Sequence, residues 1–340
     1  MKTLFSSKPI LSFILLTFLI TFTFWFLPVV AALPADILLG TILIGSCGPL
    51  MAGYIITVVN SGGKFKIKSK PIFLIVFIGA YIVLLLRLYF VNNGLSDING
   101  KIPPLNEVSI FGHILFTIAF FILGINASNA TNNKLKENYL KSFLFEKEKL
   151  KWYFIGLLLL PVMYMVSYYL GKVINIEISE FSMKFEVVWL VGFFSTFFFF
   201  GGNEEFGWRG FLQKELQKKY NLLVSAFVIS FLWSLWHLPL YYNGFYSTEG
   251  FMLLLPRFIW TIPLTIVFTW IYNKSSYSIL TVILLHTMVN NVSNAFGSSE
   301  MILLILGLSF SVYCIINDKM WRKKPYPLVY QKADTESTSS

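Results

Sequence analysis

Of 340 residues, 56% are hydrophobic and 18% aromatic while only 13% are charged, a balance that argues against a water-soluble domain of this size and makes the lipid bilayer the expected solvent. The formal charge of +10 comes from lysines clustered between apolar runs, with no basic face interleaved with aromatics, so nucleic acid is not an expected partner. Cys47 and Cys314 both lie inside apolar runs, which points to two small buried hydrophobes and away from a disulfide framework or a thiolate metal site.

Taken in chain order, apolar runs long enough to cross a membrane fall near 10–31, 37–59, 71–91, 108–126, 152–173, 186–213, 221–242, 251–273, 277–296 and 300–317, each about twenty residues. The expected fold is all-α, a polytopic transmembrane helix bundle of about ten spans. Lys2 and Lys8 precede the first run; that run is longer than the core of a secretion signal and is read as a retained helix. Basic residues follow every second span: Lys64 to Lys70, Lys134 to Lys151, Lys214 to Lys219, Lys274, and Lys319 to Lys324. The other connections are short or carry Asp97, Glu107, Glu177, Glu180 and Glu249, so the positive-inside tendency puts both termini in the cytoplasm. Four segments result: motif-free helices over 1–175, a polar-motif core over 186–296, a last helix over 297–317, and a basic, disordered tail over 318–340. Three Asn-x-Ser/Thr triplets, at Asn126, Asn129 and Asn291, are attributed to chance in an asparagine-rich chain.

Ionisable groups inside hydrocarbon cost about 2.5–3.5 kcal/mol each on insertion scales, so each one carries a functional hypothesis. They concentrate in three spans. The sixth holds Glu204, Glu205 and Arg209 after Phe197 to Phe200; the seventh holds Trp233 and His237; the ninth holds His286 and Asn290. A hairpin turning near Tyr220 puts Glu204 and His237 level, each roughly 24 Å from the turn. His286, roughly 16 Å from Lys274, reaches a comparable depth if the sixth and seventh helices project, which gives one polar layer below the cytoplasmic face. The i, i+4 spacing lets Glu205 pair with Arg209 and lets His286 and Asn290 address one ligand, while Glu204 points about 100° away from Glu205. Bland readings compete at each position: an orienting Glu–Arg pair, a core histidine, an interhelical asparagine. They do not account for the shared depth. Arg87 and Arg257, nearer the outer ends of their helices, are read as snorkelling structural residues, His113 as interfacial, and the Phe197–Phe200 run as packing.

Glu204-Glu205-x-x-x-Arg209, an aromatic four residues before His237, and His286-x-x-x-Asn290 together resemble the ordered motifs E-E-x-x-x-R, F-x-x-x-H and H-x-x-x-N/D of the CPBP intramembrane proteases, the CAAX-protease and bacteriocin-processing (Abi) family. The resemblance covers about residues 186–296, with Trp233 standing where the family has phenylalanine. It implies hydrolysis of a peptide bond in a membrane-associated protein or peptide, and a multi-pass protein of a bacterial plasma membrane. Glu204, with His237, would activate water; His286 and Asn290 would hold the oxyanion; Arg209 would keep Glu205 charged, and Trp233 would wall the site. The family is customarily grouped with metalloproteases, and Glu204 (or Glu205), His237 and His286 form a legitimate zinc set. The chain lacks H-E-x-x-H spacing, so the choice between glutamate and zinc catalysis stays open, with the glutamate route preferred. Two readings from other classes remain: a multi-pass transporter, disfavoured because the first half carries no matching polar set, and a non-catalytic immunity or scaffold protein.

Overall fold

The computed structural model describes residues 2–91, 101–131, 142–179, 187–246, 252, 254–292 and 296–323. The connections carrying Asp97, Glu180 and Glu249, the lysines from Lys134 to Lys141, and the tail from residue 324 lie outside the described residues. Helices α1 (Lys2–Ser7), α2 (Pro9–Val30), α3 (Ala35–Ser46), α4 (Gly48–Asn60), α5 (Lys70–Phe90), α6 (Ile110–Ser128), α7 (Leu150–Val173) and α8 (Val187–Phe198) form the first part of the bundle. After a break come α9 (Glu205–Gly207), a π-helical turn (Trp208–Gln213) and α10 (Lys214–Lys219). The remainder comprises α11 (Leu222–Trp236), α12 (Leu238–Tyr242), α13 (Leu254–Lys274), α14 (Ile279–Asn291) and α15 (Glu300–Asp318).

Starts are set by side chains that satisfy free backbone N–H groups. Ser69, Ser109, Asn221 and Ser278 each accept from the backbone three residues on, opening α5, α6, α11 and α14. Asp36 Oδ2 accepts from Ser109 N at 2.9 Å, tying the start of α3 to that of α6. Pro49, just inside α4, cannot donate to the preceding turn, and the α3–α4 pair bends there by 40°.

Contacts between connections show how the chain threads. Lys68 N donates to Ser128 Oγ and Asn129 Nδ2 to Lys66 O. Lys149 Nζ reaches Ser276 O, Asn221 Nδ2 reaches Trp321 O, and Lys274 pairs with Asp318 at 2.7 Å. All these belong to the basic connections, which thus gather at one end. Asn243 Nδ2 donates to Trp25 O, and Ser179 and Ser298 bond to one another, at the opposite end. The order of passes matches the ten runs of the sequence, but their lengths do not. Among the described residues, eight helices are long and apolar enough to cross a membrane, or nine with the bent α3–α4 pair. The ninth pass is the exception, because α14 has only 13 residues. It is sheathed by α7, α8 and α13, so a short buried helix suffices where lipid is not the neighbour.

The sixth pass departs most from expectation. A continuous helix over 186–213 is replaced by α8, a kink at residues 199–204, and α9. Gly201 adopts φ +143°, a conformation open to glycine alone. A Cβ on Gly202 would fall 2.2 Å from Phe197 O, so the Gly201-Gly202 pair permits the kink. The kink carries Phe199 and Phe200 off the helix to line an internal cavity; the phenylalanine run thus does more than pack.

Candidate active site

Glu205 and Arg209 come together as their spacing requires, both fully buried, with Arg209 Nη1 3.2 Å from Glu205 Oε1. The guanidinium lies 4.5 Å from the Phe268 ring and 5.1 Å from the Trp233 ring, and its Nε and Nη2 meet no acceptor. Aromatic faces thus solvate the part of the cation that the carboxylate does not.

His286 Nδ1 lies 2.7 Å from the same Glu205 Oε1. A carboxylate held by arginine only accepts, so Nδ1 carries the proton and Nε2 is turned to the opposite side. That side is Gly201: a Cβ there would lie 2.8 Å from His286 Nε2 and 3.0 Å from Asn290 Nδ2. Asn290 Nδ2 also donates to Phe200 O at 2.9 Å, which leaves its second N–H unused by that bond. The i, i+4 pair therefore flanks one small space at the kink.

Glu204, beside Glu205 in sequence, faces a different partner. Trp233 Nε1–H donates to its Oε2 at 2.8 Å. His237, at the end of α11, gives Nδ1–H to Trp233 O at 2.7 Å. A carbonyl only accepts, so neutral His237 presents Nε2 as a bare lone pair. The aromatic at position 233 was expected to wall the site, and its indole also donates to the carboxylate, which phenylalanine could not do. The rings of Trp233 and His286 meet edge to face at 5.4 Å, closing the set.

Glu204, Trp233, His237, His286 and Asn290 all line one cavity of about 1310 Å³. Its far walls are Trp189, Arg257, Trp260 and Glu300, near the starts of α8, α13 and α15. Those starts belong to the end opposite the basic connections. The polar layer lies at about the depth below the basic face that the residue count gave, roughly 16–24 Å. Trp233 is 11 residues along α11, roughly 16 Å from that face, and the cavity extends from this middle depth toward the other end. Arg87 and Arg257 likewise line the cavity instead of snorkelling. His113 does take a structural part, hydrogen-bonded to the Tyr81 hydroxyl at 2.9 Å.

Sequence reasoning missed Asn203, whose Nδ2 donates to Ser46 Oγ at 3.1 Å and whose Oδ1 accepts from Gly201 N at 3.4 Å. This residue fastens the kink to α3. It also missed the N-terminal buttress: Trp236 Nε1 donates to Thr21 at 2.7 Å, and Trp25 packs against Trp236 with tilted rings 4.4 Å apart. Arg257 was visible as a charge in an apolar run, and the cost argument applied to Glu204 applies equally to it.

A metal is the group the resemblance would bring. Among the described residues, no three His, Cys, Asp or Glu side chains gather as a ligand set. His286 and His237 each give Nδ1–H to an oxygen acceptor and keep Nε2 free, an orientation that metal-bound histidines share, while Glu204 is held by Trp233. Among the described residues, Glu204, His237 and His286 as placed are not drawn together into one ligand set.

Residues 186–292 match the model of the family described as type II CAAX prenyl endopeptidase Rce1-like. The chain is also similar to CAAX prenyl protease 2 of Methanococcus maripaludis, with 30% identity over 186 residues, covering 50% of this chain and 66% of that protein, just under two thirds of its length. Glu204, Glu205, Arg209, His237, His286 and Asn290 all fall within the matched segment. The matched domain, the relative and the three ordered motifs together support a CPBP-type intramembrane protease domain over residues 186–292.

Proposed function

We propose that this chain is an intramembrane endopeptidase that hydrolyses a peptide bond in a membrane-associated protein or peptide by direct attack of water. The observation that carries the reading is the convergence, on one cavity, of a carboxylate, a lone-pair imidazole nitrogen, and two nitrogen groups facing a common space. Water between Glu204 and His237 Nε2 loses a proton to the carboxylate as its oxygen bonds to the scissile carbonyl carbon. The carbonyl oxygen becomes an oxyanion at the space beside Gly201, where Asn290 Nδ2–H donates to it. His286 Nε2 faces the same space and donates as well when that nitrogen carries a proton. The proton held by Glu204 passes to the leaving nitrogen, the C–N bond breaks, and an acid and an amine result. Glu205 and Arg209 act through His286, fixing its ring and the face it presents.

The protein would reside in a bacterial plasma membrane, with the basic connections and both termini in the cytoplasm. The test is cleavage of membrane-anchored peptides by purified protein in detergent. Glu204→Gln and His286→Ala should each lower kcat at least 100-fold with unchanged yield and folding, and a chelator should leave the wild-type rate unaltered. Full activity in Glu204→Gln would overturn the reading; chelator sensitivity restored by zinc would overturn its metal-free form.

A further inference from the structure

Asn291 closes α14 one residue after Asn290 and lines the cavity, yet the proposed reaction does not use it. Only 6% of the residue is exposed. Its Nδ2 lies 2.7 Å from Thr287 O and 2.8 Å from Thr196 Oγ1. A carbonyl only accepts, so the contact with Thr287 fixes which end of the amide is nitrogen. Both N–H groups are thereby spent, and Thr196 in turn gives its hydroxyl proton to Gly192 O at 3.2 Å. The Asn291 Oδ1 is left without a partner among the described residues and open to the cavity. A clasp between α14 and α8 accounts for the two donors and leaves the carbonyl over. An acceptor withdrawn from water without a donor is costly, and that cost is offset when a donor arrives.

Its place beside the reacting groups gives that donor an identity. Asn290 ties α14 to the kink at Phe200 O and borders the space where the oxyanion forms. Asn291 ties α14 to Thr196, four residues before Phe200. Trp189, Gly192 and Thr196 recur at three- and four-residue intervals and all line the cavity, so one face of α8 runs from the oxyanion space toward the far walls. An extended peptide along that face carries a backbone N–H about every 3.3–3.6 Å. Neighbouring Cα atoms such as those of Asn290 and Asn291 are about 3.8 Å apart. With the scissile carbonyl beside Asn290, the N–H that meets Asn291 Oδ1 therefore belongs to one of the two residues next to the scissile bond.

We propose that Asn291 Oδ1, aimed by Thr196 and Thr287, accepts a backbone N–H of the bound peptide within two residues of the scissile bond, and so holds the scissile carbonyl in register with the oxyanion space. This rests on the proposed endopeptidase reading, and the experiment separates the two. Binding is measured on the Glu204→Gln protein, which does not need to turn over, with a fluorescent form of the membrane-anchored peptide from the cleavage assay. In further versions of the peptide, one amide at a time on either side of the cleaved bond is replaced by an ester, which keeps the shape of the chain and lacks the N–H. One such ester should weaken binding about fivefold to tenfold. Asn291→Ala on that background should bind the amide peptide and that ester peptide alike, with the ester bound as tightly as by the parent protein. Thr196→Val, a second variant that guards against misfolding of the first, frees one Asn291 N–H so that the amide can turn, and should lower the same ratio. A ratio that survives Asn291→Ala, with both peptides weakened equally as a purely structural residue would give, would overturn the proposal. So would peptide binding that no ester affects. Failure of every peptide to bind would bring down the endopeptidase reading as well.

Discussion

Glu205 accepts from both Arg209 and His286 in a fully buried position, so its charge is tolerable only while those partners stay. Replacing Arg209 by Gln leaves a buried carboxylate short of its cation, a change that costs about 3–5 kcal/mol in buried pairs. Arg209→Gln should therefore lower the thermal midpoint in detergent by many degrees, whereas Glu204→Gln, on a side chain lining the cavity, should not. Trp233→Phe removes the indole donor to Glu204 and keeps a ring of similar shape. We expect a folded enzyme slowed about tenfold, the worth of one hydrogen bond to a charged group, measured as kcat with the thermal midpoint as control. At this scale the sequence disclosed which residues meet through helical spacing, as with Glu205 and Arg209 or His286 and Asn290. It did not disclose the donor role of Trp233, which depends on a contact between residues 29 apart. Nor did it reveal the shared use of Glu205, which joins residues 81 apart.

The kink between α8 and α9 is the element that makes a site out of separate helices. An unbroken helix would leave Phe199 and Phe200 on its surface and would keep Gly201 away from His286. Gly201→Ala introduces both an unfavourable φ and a methyl group 2.8 Å from His286 Nε2, so it should abolish peptide cleavage and cost about 1–3 kcal/mol in thermal stability. A cleaving Gly201→Ala enzyme would show that the space beside Gly201 is not where the oxyanion forms. A glycine pair can break a helix, so Gly201-Gly202 hinted at the break, but the surrounding apolar, aromatic run did not show what the break would carry into the site. Hydropathy reports solvent preference and is silent on backbone direction. Asn203 went unnoticed for a related reason: its role as a fastener appears only once Ser46 of α3 is beside it.

Across the whole molecule, the alternation of basic connections in the sequence maps onto two ends of a bundle, and contacts such as Lys274 with Asp318 and Ser179 with Ser298 mark which end is which. The order of passes was legible because each apolar run is long relative to its connection. The direction in which the cavity extends from the site was not, since residue counting gives depth along a helix and says nothing of which end the lining residues converge on. With the basic end cytoplasmic, the cavity faces the other side. A membrane-impermeant maleimide applied to intact cells should then label Ile174→Cys, an exposed position at the opposite end, and spare Lys64→Cys, both native cysteines being buried. The reverse pattern would invert the topology without altering the chemistry.

That chemistry is tested most directly by a single turnover in water enriched in oxygen-18, with enzyme in excess over a membrane-anchored peptide and the new carboxyl terminus analysed by mass. Direct attack by water held between Glu204 and His237 predicts one heavy oxygen in the product of the first turnover. A first-turnover product carrying only light oxygen would mean that an enzyme carboxylate had attacked the carbonyl, which would contradict the account.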